Sequence, residues 1–139
     1  MNAFVLDCSA TLPWVFGSEA TPATNALLES LSQGTQAWVP ALWHLEVANV
    51  LIGAEKRERI DEAGITQFLG ALEVFEINTD SETMVKAWNP TRSLAQQHGL
   101  TSYDAAYLEL ALRKGLPLAT LDKSLIKAVK KSGGELVLQ

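Results

Sequence analysis

The sequence predicts a three-layer α/β domain in which a parallel sheet is covered by helices on both faces. Three observations lead there. Short apolar runs of strand length alternate along the chain with stretches in which apolar residues recur at helical spacing. Glycines stand where those helical stretches end. No repeat, low-complexity tract or linker interrupts the 139 residues, so residues 1–139 read as one domain of ordinary size. Strand–helix–strand alternation of this kind favours parallel pairing, because each crossover lays a helix against the sheet.

The elements follow in order. Ala3–Leu6 is a continuous apolar run and the best candidate for a central strand. Leu27, Leu28 and Leu31 mark a helix that stops before Gly34, and Gln36–Val39 reads as the second strand. Leu42, Leu45, Val47, Val50 and Leu51 define another helix, and Ile65, Phe68, Leu69 and Leu72 the next. Val74–Ile77 is the candidate third strand. The segment 80–98 has a helical pattern broken by Pro90, which removes a backbone donor and clashes with the preceding turn, and Gly99 closes it. Tyr107, Leu108, Ala111 and Leu112 place a helix over 102–114 ahead of Gly115. Leu116–Ala119 and Glu135–Leu138 are the last strands, flanking a helix over 123–131 marked by Leu125, Ile126 and Val129, with Gly133 and Gly134 after it.

Composition narrows the function. With 47% apolar and 19% charged residues the chain can bury a core. A net charge of −5 excludes a histone-like polycation, and the charge is unevenly placed. Residues 1–100 hold five basic and twelve acidic side chains, whereas residues 101–139 hold six and four, so a nucleic acid would have to be met locally. The single cysteine, Cys8, rules out an internal disulfide and a zinc site of several thiolates, and suits a reducing compartment. The first residues lack the basic segment of a signal peptide. The most apolar long stretch, Ala37 to Ala54, is interrupted by Pro40, His44, Glu46 and Asn49, which does not suit a membrane span. The expectation is a cytoplasmic protein.

Four carboxylates occur where charge is locally out of place. Asp7 ends the first strand, Glu46 lies in a helix otherwise nearly devoid of charge, Asp104 is in the first turn of the 102–114 helix, and Asp122 follows the fourth strand. Asp7 and Asp122 could serve as helix N-caps, and Asp104 could complement a helix dipole. Glu46 is harder to explain, since burying a lone carboxylate is costly without a cationic partner and Lys56 and Arg57 are too far along the helix. A metal is its simplest partner. Asp7 and Asp122 belong at strand ends that share one edge of a parallel sheet, where ligands bind; the edge on which Asp104 falls is open. If all four converge, their repulsion calls for divalent cations, and hard oxygen donors select Mg²⁺ or Mn²⁺. Such clusters activate water for displacement at phosphorus.

Four segments carry a resemblance. Asp7-Cys8-Ser9 after a short strand, Pro40-Ala41-Leu42 followed by Leu45 to Leu51, Leu100 to Ala111 around Asp104, and Leu116 to Leu125 around Asp122 resemble, in order and spacing, the motifs of PIN-domain ribonucleases. The likeness is greatest to the VapC-type toxins of bacterial toxin–antitoxin pairs. The resemblance implies a five-stranded parallel sheet and one acidic pocket in which Asp7, Glu46, Asp104 and Asp122 act as catalytic residues and hold Mg²⁺ or Mn²⁺. It further implies cleavage of RNA by a metal-activated water, a homodimer, and silencing by a cognate VapB-type antitoxin. Cys8 departs from the small or hydroxyl residues common at its position, a variation expected to concern packing. Ser9 and Asn49 are candidate supports for the acids, or else a helix cap and a surface polar group.

Lys123, Lys127 and Lys130 follow one helix face beside Asp122, with Lys131 adjacent. They read either as a phosphate-guiding rim or as a solvated face. Arg92, Arg113 and Lys114 are open in the same way. His44 and His98 form no evident pair, and Trp14, Trp38, Trp43 and Trp88 read as core or interface anchors. An aspartyl phosphatase would need a second Asp two residues after Asp7, where Ser9 stands. A receiver-type signalling domain would need paired acids after its first strand. The remaining alternative is a PIN-like module that binds RNA or protein without cleaving.

Overall fold

The computed structural model describes residues 2–138. Its frame is a five-stranded, all-parallel sheet of β1 (Ala3–Leu6), β2 (Gln36–Val39), β3 (Ile77–Thr79), β4 (Leu118–Ala119) and β5 (Leu136–Val137), in the order β3-β2-β1-β4-β5. Phe4, Val5 and Leu6 of β1 are all fully buried. Successive strand residues face opposite ways, so uninterrupted burial means that the central strand is covered on both faces.

The helices are α1 (Cys8–Thr11), α2 (Pro22–Ser32), α3 (Trp43–Lys56), α4 (Glu62–Glu73), α5 (Thr83–Lys86), α6 (Arg92–His98), α7 (Ser102–Lys114) and α8 (Lys123–Ser132). Local chemistry sets the bounds of those that matter most. The Thr101 hydroxyl accepts from the Asp104 amide at 3.1 Å to start α7, and Gly115 ends it at φ +64°, a conformation that a side chain would disfavour. Asp122 caps α8 by accepting from the Leu125 amide at 2.9 Å.

Two boundaries depart from the sequence reading. The third strand is Ile77–Thr79, not Val74–Ile77. Val74 is the C-cap of α4 and 79% exposed; an edge strand pairs through its backbone, with Ala37 opposite Ile77 and Val39 opposite Thr79, so its apolar content says little. The last two strands are trimmed to two residues each within their predicted runs. The break at Pro90 falls where expected: Asn89 is extended (φ −167°, ψ 125°), between α5 and α6.

From β1 the chain builds outward through β2 to β3, then returns to lay β4 on the other side of β1. The order therefore reverses beside β1, and the carboxyl ends of β1 and β4 lie on either side of the crevice where α/β sheets hold ligands. Asp7 and Asp122 follow those two ends.

Candidate active site

Asp7 extends the β1–β4 pairing, its amide donating to Ala119 O at 3.0 Å. Its side chain does not cap α1. Instead Oδ2 accepts from both Ser9 Oγ, at 2.6 Å, and Thr120 Oγ1, at 2.7 Å. Each hydroxyl in turn accepts from a backbone amide of the loop after β4, Ser9 from Leu121 at 2.9 Å and Thr120 from Asp122 at 3.0 Å. With one proton per hydroxyl, donor and acceptor roles are thereby assigned, and Asp7 Oδ1 accepts from neither. Ser9 thus supports the acid rather than capping a helix. Burial, with Asp7 only 5% exposed, pushes its carboxyl up; the two hydroxyls oppose this and the Asp122 charge adds to it.

Glu46 lies in the first turn of α3 and is half-buried. The partner it finds is neutral: the Tyr107 hydroxyl of α7 donates a hydrogen bond to Oε1. A phenol can satisfy one carboxylate oxygen without bringing a charge. Burial raises the Glu46 carboxyl, the phenol lowers it, and the charges of Asp7 and Asp104 raise it further. Asp104, in the first turn of α7, is raised by burial and by the charges of Asp122 and Asp7. The open question of its edge is thereby answered, since α7 begins beside the ends of β1 and β4.

These mutual effects link every pair of the four acids except Glu46 and Asp122. Among the described residues, no three His, Cys, Asp or Glu side chains lie close enough to cage an ion as they stand. The acids form an open crevice of hard oxygen donors, which fits a cation that keeps several waters and takes only one or two carboxylates directly. Cys8, buried between Asp7 and Ser9, has its thiol pushed up to about 12 by burial and by the Glu46 and Asp7 charges. It is packing, not a nucleophile.

A stability prediction follows. A carboxyl whose folded pKa exceeds its unfolded value destabilises the fold when it ionises. In EDTA the protein should gain stability as pH falls from neutral through the raised values of Asp7, Glu46 and Asp104 toward the ordinary carboxylate range. Asp104→Asn removes one of the repelling charges, so in EDTA at neutral pH it should melt above wild type and gain less from Mn²⁺. Melting curves with and without the ion test this; a lower melting point in EDTA with equal metal shifts would make the carboxylate purely structural.

Other singled-out residues divide. Asn49 is exposed in an open trough lined by Leu42, Leu45, Glu46, Ala48, Ile52 and Tyr103 and, among the described residues, hydrogen-bonds none of the acids. Lys123, Lys127, Lys130 and Lys131 are exposed on α8. Arg113 is committed elsewhere, to Asp80, Glu82 and Glu109. Arg92 Nε donates to Trp88 O at 3.1 Å, and Lys114 Nζ sits 3.8 Å over the Trp38 ring. His44 meets Trp43 edge-on and His98 lies 3.2 Å from Ser132 Oγ. Trp43 and Trp14 anchor by donating to Thr11 Oγ1 and Thr24 O, whereas Trp88 is 84% exposed. Sequence reasoning missed Thr120 and Tyr107. Their signals were a hydroxyl residue two before Asp122, and a Tyr three after Asp104 on the same helix face.

Comparison with the curated proteins finds none that matches. Among solved structures, the chain is similar to PAE2754 from Pyrobaculum aerophilum, with a TM-score of 0.70 and 22% identity over 96% of this chain and 87% of that one. It is also similar to a chain of a toxin–antitoxin complex from Klebsiella pneumoniae (TM-score 0.57, 20% identity, 86% of each chain). A third likeness is to a chain of VapBC2 from Rickettsia felis bound to a DNA fragment of its promoter (TM-score 0.58, 17% identity, 93% and 92% covered). At these identities the likeness is one of fold. The family model of the PIN domain matches residues 4–131, and with that match spanning both flanks of the acidic crevice, the chain belongs to the PIN-domain family.

Proposed function

We propose that the chain is a single-domain, divalent-metal-dependent endoribonuclease, the toxin of a type II toxin–antitoxin pair. The observation that carries this reading is the mutual influence of charge among Asp7, Glu46, Asp104 and Asp122, which come from four separate elements, two of them following the strand ends where the strand order reverses. Membership of the PIN-domain family supports nuclease chemistry. The fold shared with chains of toxin–antitoxin complexes supports the toxin role and a VapB-type partner.

Asp7, Glu46, Asp104 and Asp122 would hold Mg²⁺ or Mn²⁺, Asp7 and Asp104 most directly, with Glu46 and Asp122 completing the cluster directly or through water. The bound ion would supply an activated water and charge stabilisation at the scissile phosphate. The chain's own residues prepare for it. Ser9 and Thr120 fix Asp7 through Oδ2, and Tyr107 holds Glu46 through Oε1. Leu45, Met84, Val85, Trp88 and Tyr103 are exposed, and several line the troughs beside Glu46, which supports a protein partner, antitoxin or second protomer, on that side. No helix among the described residues is long and apolar enough to cross a membrane, which suits a cytoplasmic setting.

The test is incubation of total cellular RNA with purified protein and Mg²⁺ or Mn²⁺. Discrete fragments that vanish with EDTA are expected; binding without cleavage in either ion would favour the non-catalytic module. The exposed lysines of α8 add a second test. If Lys123, Lys127 and Lys130 contact phosphates, reversing two of them to Glu should raise the apparent KM and flatten its salt dependence. An unchanged salt slope would return them to the solvated face.

A further inference from the structure

Tyr107 sits within a buried run of α7, Ala105 to Ala111, and is itself 0% exposed. The ring fills the core, a task that phenylalanine would do equally well. The hydroxyl is what needs explaining, because a buried phenol without a partner is costly. Its one partner among the described residues is Glu46 Oε1, sixty-one positions away on α3. Glu46 itself stands at an open trough whose other lining residues are Leu42, Leu45, Ala48, Asn49, Ile52 and Tyr103, with no basic side chain among them. A glutamate there has three rotatable bonds and, without the phenol, little to hold it toward Asp7 and Asp104 rather than toward solvent.

We infer that Tyr107 is a positioning residue for the reaction: its hydroxyl pegs α7 to α3 and holds the Glu46 carboxylate in the orientation in which Oε2 can serve the acidic crevice. The inference rests on the metal-dependent reading above and names a residue that acts only through Glu46. Groups that orient ligating carboxylates usually matter about 10–100-fold to metal affinity or activity. Phenylalanine at 107 keeps the ring and its packing, so the loss should appear in metal binding and turnover, not in folding.

The test uses the full chain and Mn²⁺ alone as the first probe. Calorimetric titration of Tyr107→Phe should give a Mn²⁺ Kd raised by roughly tenfold or more. RNA cleavage should show kcat reduced by about 10–100-fold with KM for RNA nearly unchanged. In a Glu46→Ala background, Tyr107→Phe should leave Mn²⁺ affinity where Glu46→Ala alone puts it, since the path through Glu46 is already gone. Wild-type affinity and turnover in Tyr107→Phe, or an equally large loss in the Glu46→Ala background, would reduce Tyr107 to packing. A wild-type protein that neither binds Mn²⁺ nor cuts RNA would overturn the metal-dependent reading itself, an outcome distinct from a silent Tyr107→Phe.

Discussion

Asp104→Asn should reduce RNA cleavage by at least roughly a hundredfold, the equivalent of about 3 kcal/mol in the barrier, while leaving the fold intact. Asparagine keeps the shape of the side chain, and the cap that starts α7 runs from the Asp104 amide to Thr101 Oγ1, so the substitution does not touch it. What is lost is a full negative charge that lies within the influence of the Asp7 and Asp122 carboxylates. Asp7→Asn should act alike, with an added disturbance to the Ser9 and Thr120 hydroxyls that now donate to Oδ2. Cleavage assays paired with circular dichroism provide the check. Near wild-type activity in folded Asp104→Asn protein would remove the residue from the reaction.

The largest stability effect is expected at a second group of acids, the one that Arg113 holds. Arg113 forks onto Asp80, with Nη2 to Oδ2 at 2.7 Å and Nη1 to Oδ1 at 3.2 Å, while Nε and Nη2 reach Glu109 at 2.8 and 3.1 Å. Asp80 and Glu109 are both buried. Arg113→Met would leave those carboxylates without their cation, and removing one partner from a buried pair costs about 3–5 kcal/mol. The melting temperature should fall by on the order of 10 °C. The pH signature distinguishes this from simple loss of packing. Burial pushes the Asp80 carboxyl up, but the Arg113 hydrogen bonds and charge outweigh it and hold the group below the ordinary carboxylate range. Its contribution is thus present above the unfolded value, near 4, and fades as pH falls through the depressed value. In Arg113→Met the shift should reverse, so that mild acidification stabilises the variant. A variant that melts within about 1 °C of wild type at neutral pH would show the fork to be worth no more than a surface pair.

The parts of this molecule that were legible in the sequence are those set by neighbours along the chain. Strand-terminal Asp7 and Asp122, the α7 span from Thr101 to Gly115 and the break at Pro90 all rest on local capping, periodicity and backbone chemistry. What escaped depends on partners far away in the chain. The hydrogen bond that Glu46 receives from Tyr107 escaped because Tyr107 reads locally as one more apolar position of α7. Arg113 stayed open between phosphate contact and structure because Asp80 and Glu82, which claim it, precede it by about thirty residues. The edge of the sheet reached by Asp104 depended on the path of the chain after β3, and no periodicity encodes that. β3 itself slid by three residues because an edge strand is chosen by backbone pairing with β2.

The double hydroxyl relay on Asp7 also sets a clock. Ser9 reaches Oδ2 from two residues away, but Thr120 can close on it only when β4 has docked beside β1, and the Ser9–Leu121 link spans 112 positions. Helices α2 to α6 are made and can form while the pocket still lacks its far wall. A ribosome translating this chain would therefore carry an unassembled crevice until synthesis had passed residue 122 and the emerging segment had cleared the exit tunnel. Any activity against RNA would then wait on that docking, and a chain truncated before β4 should be inert however well its first hundred residues fold.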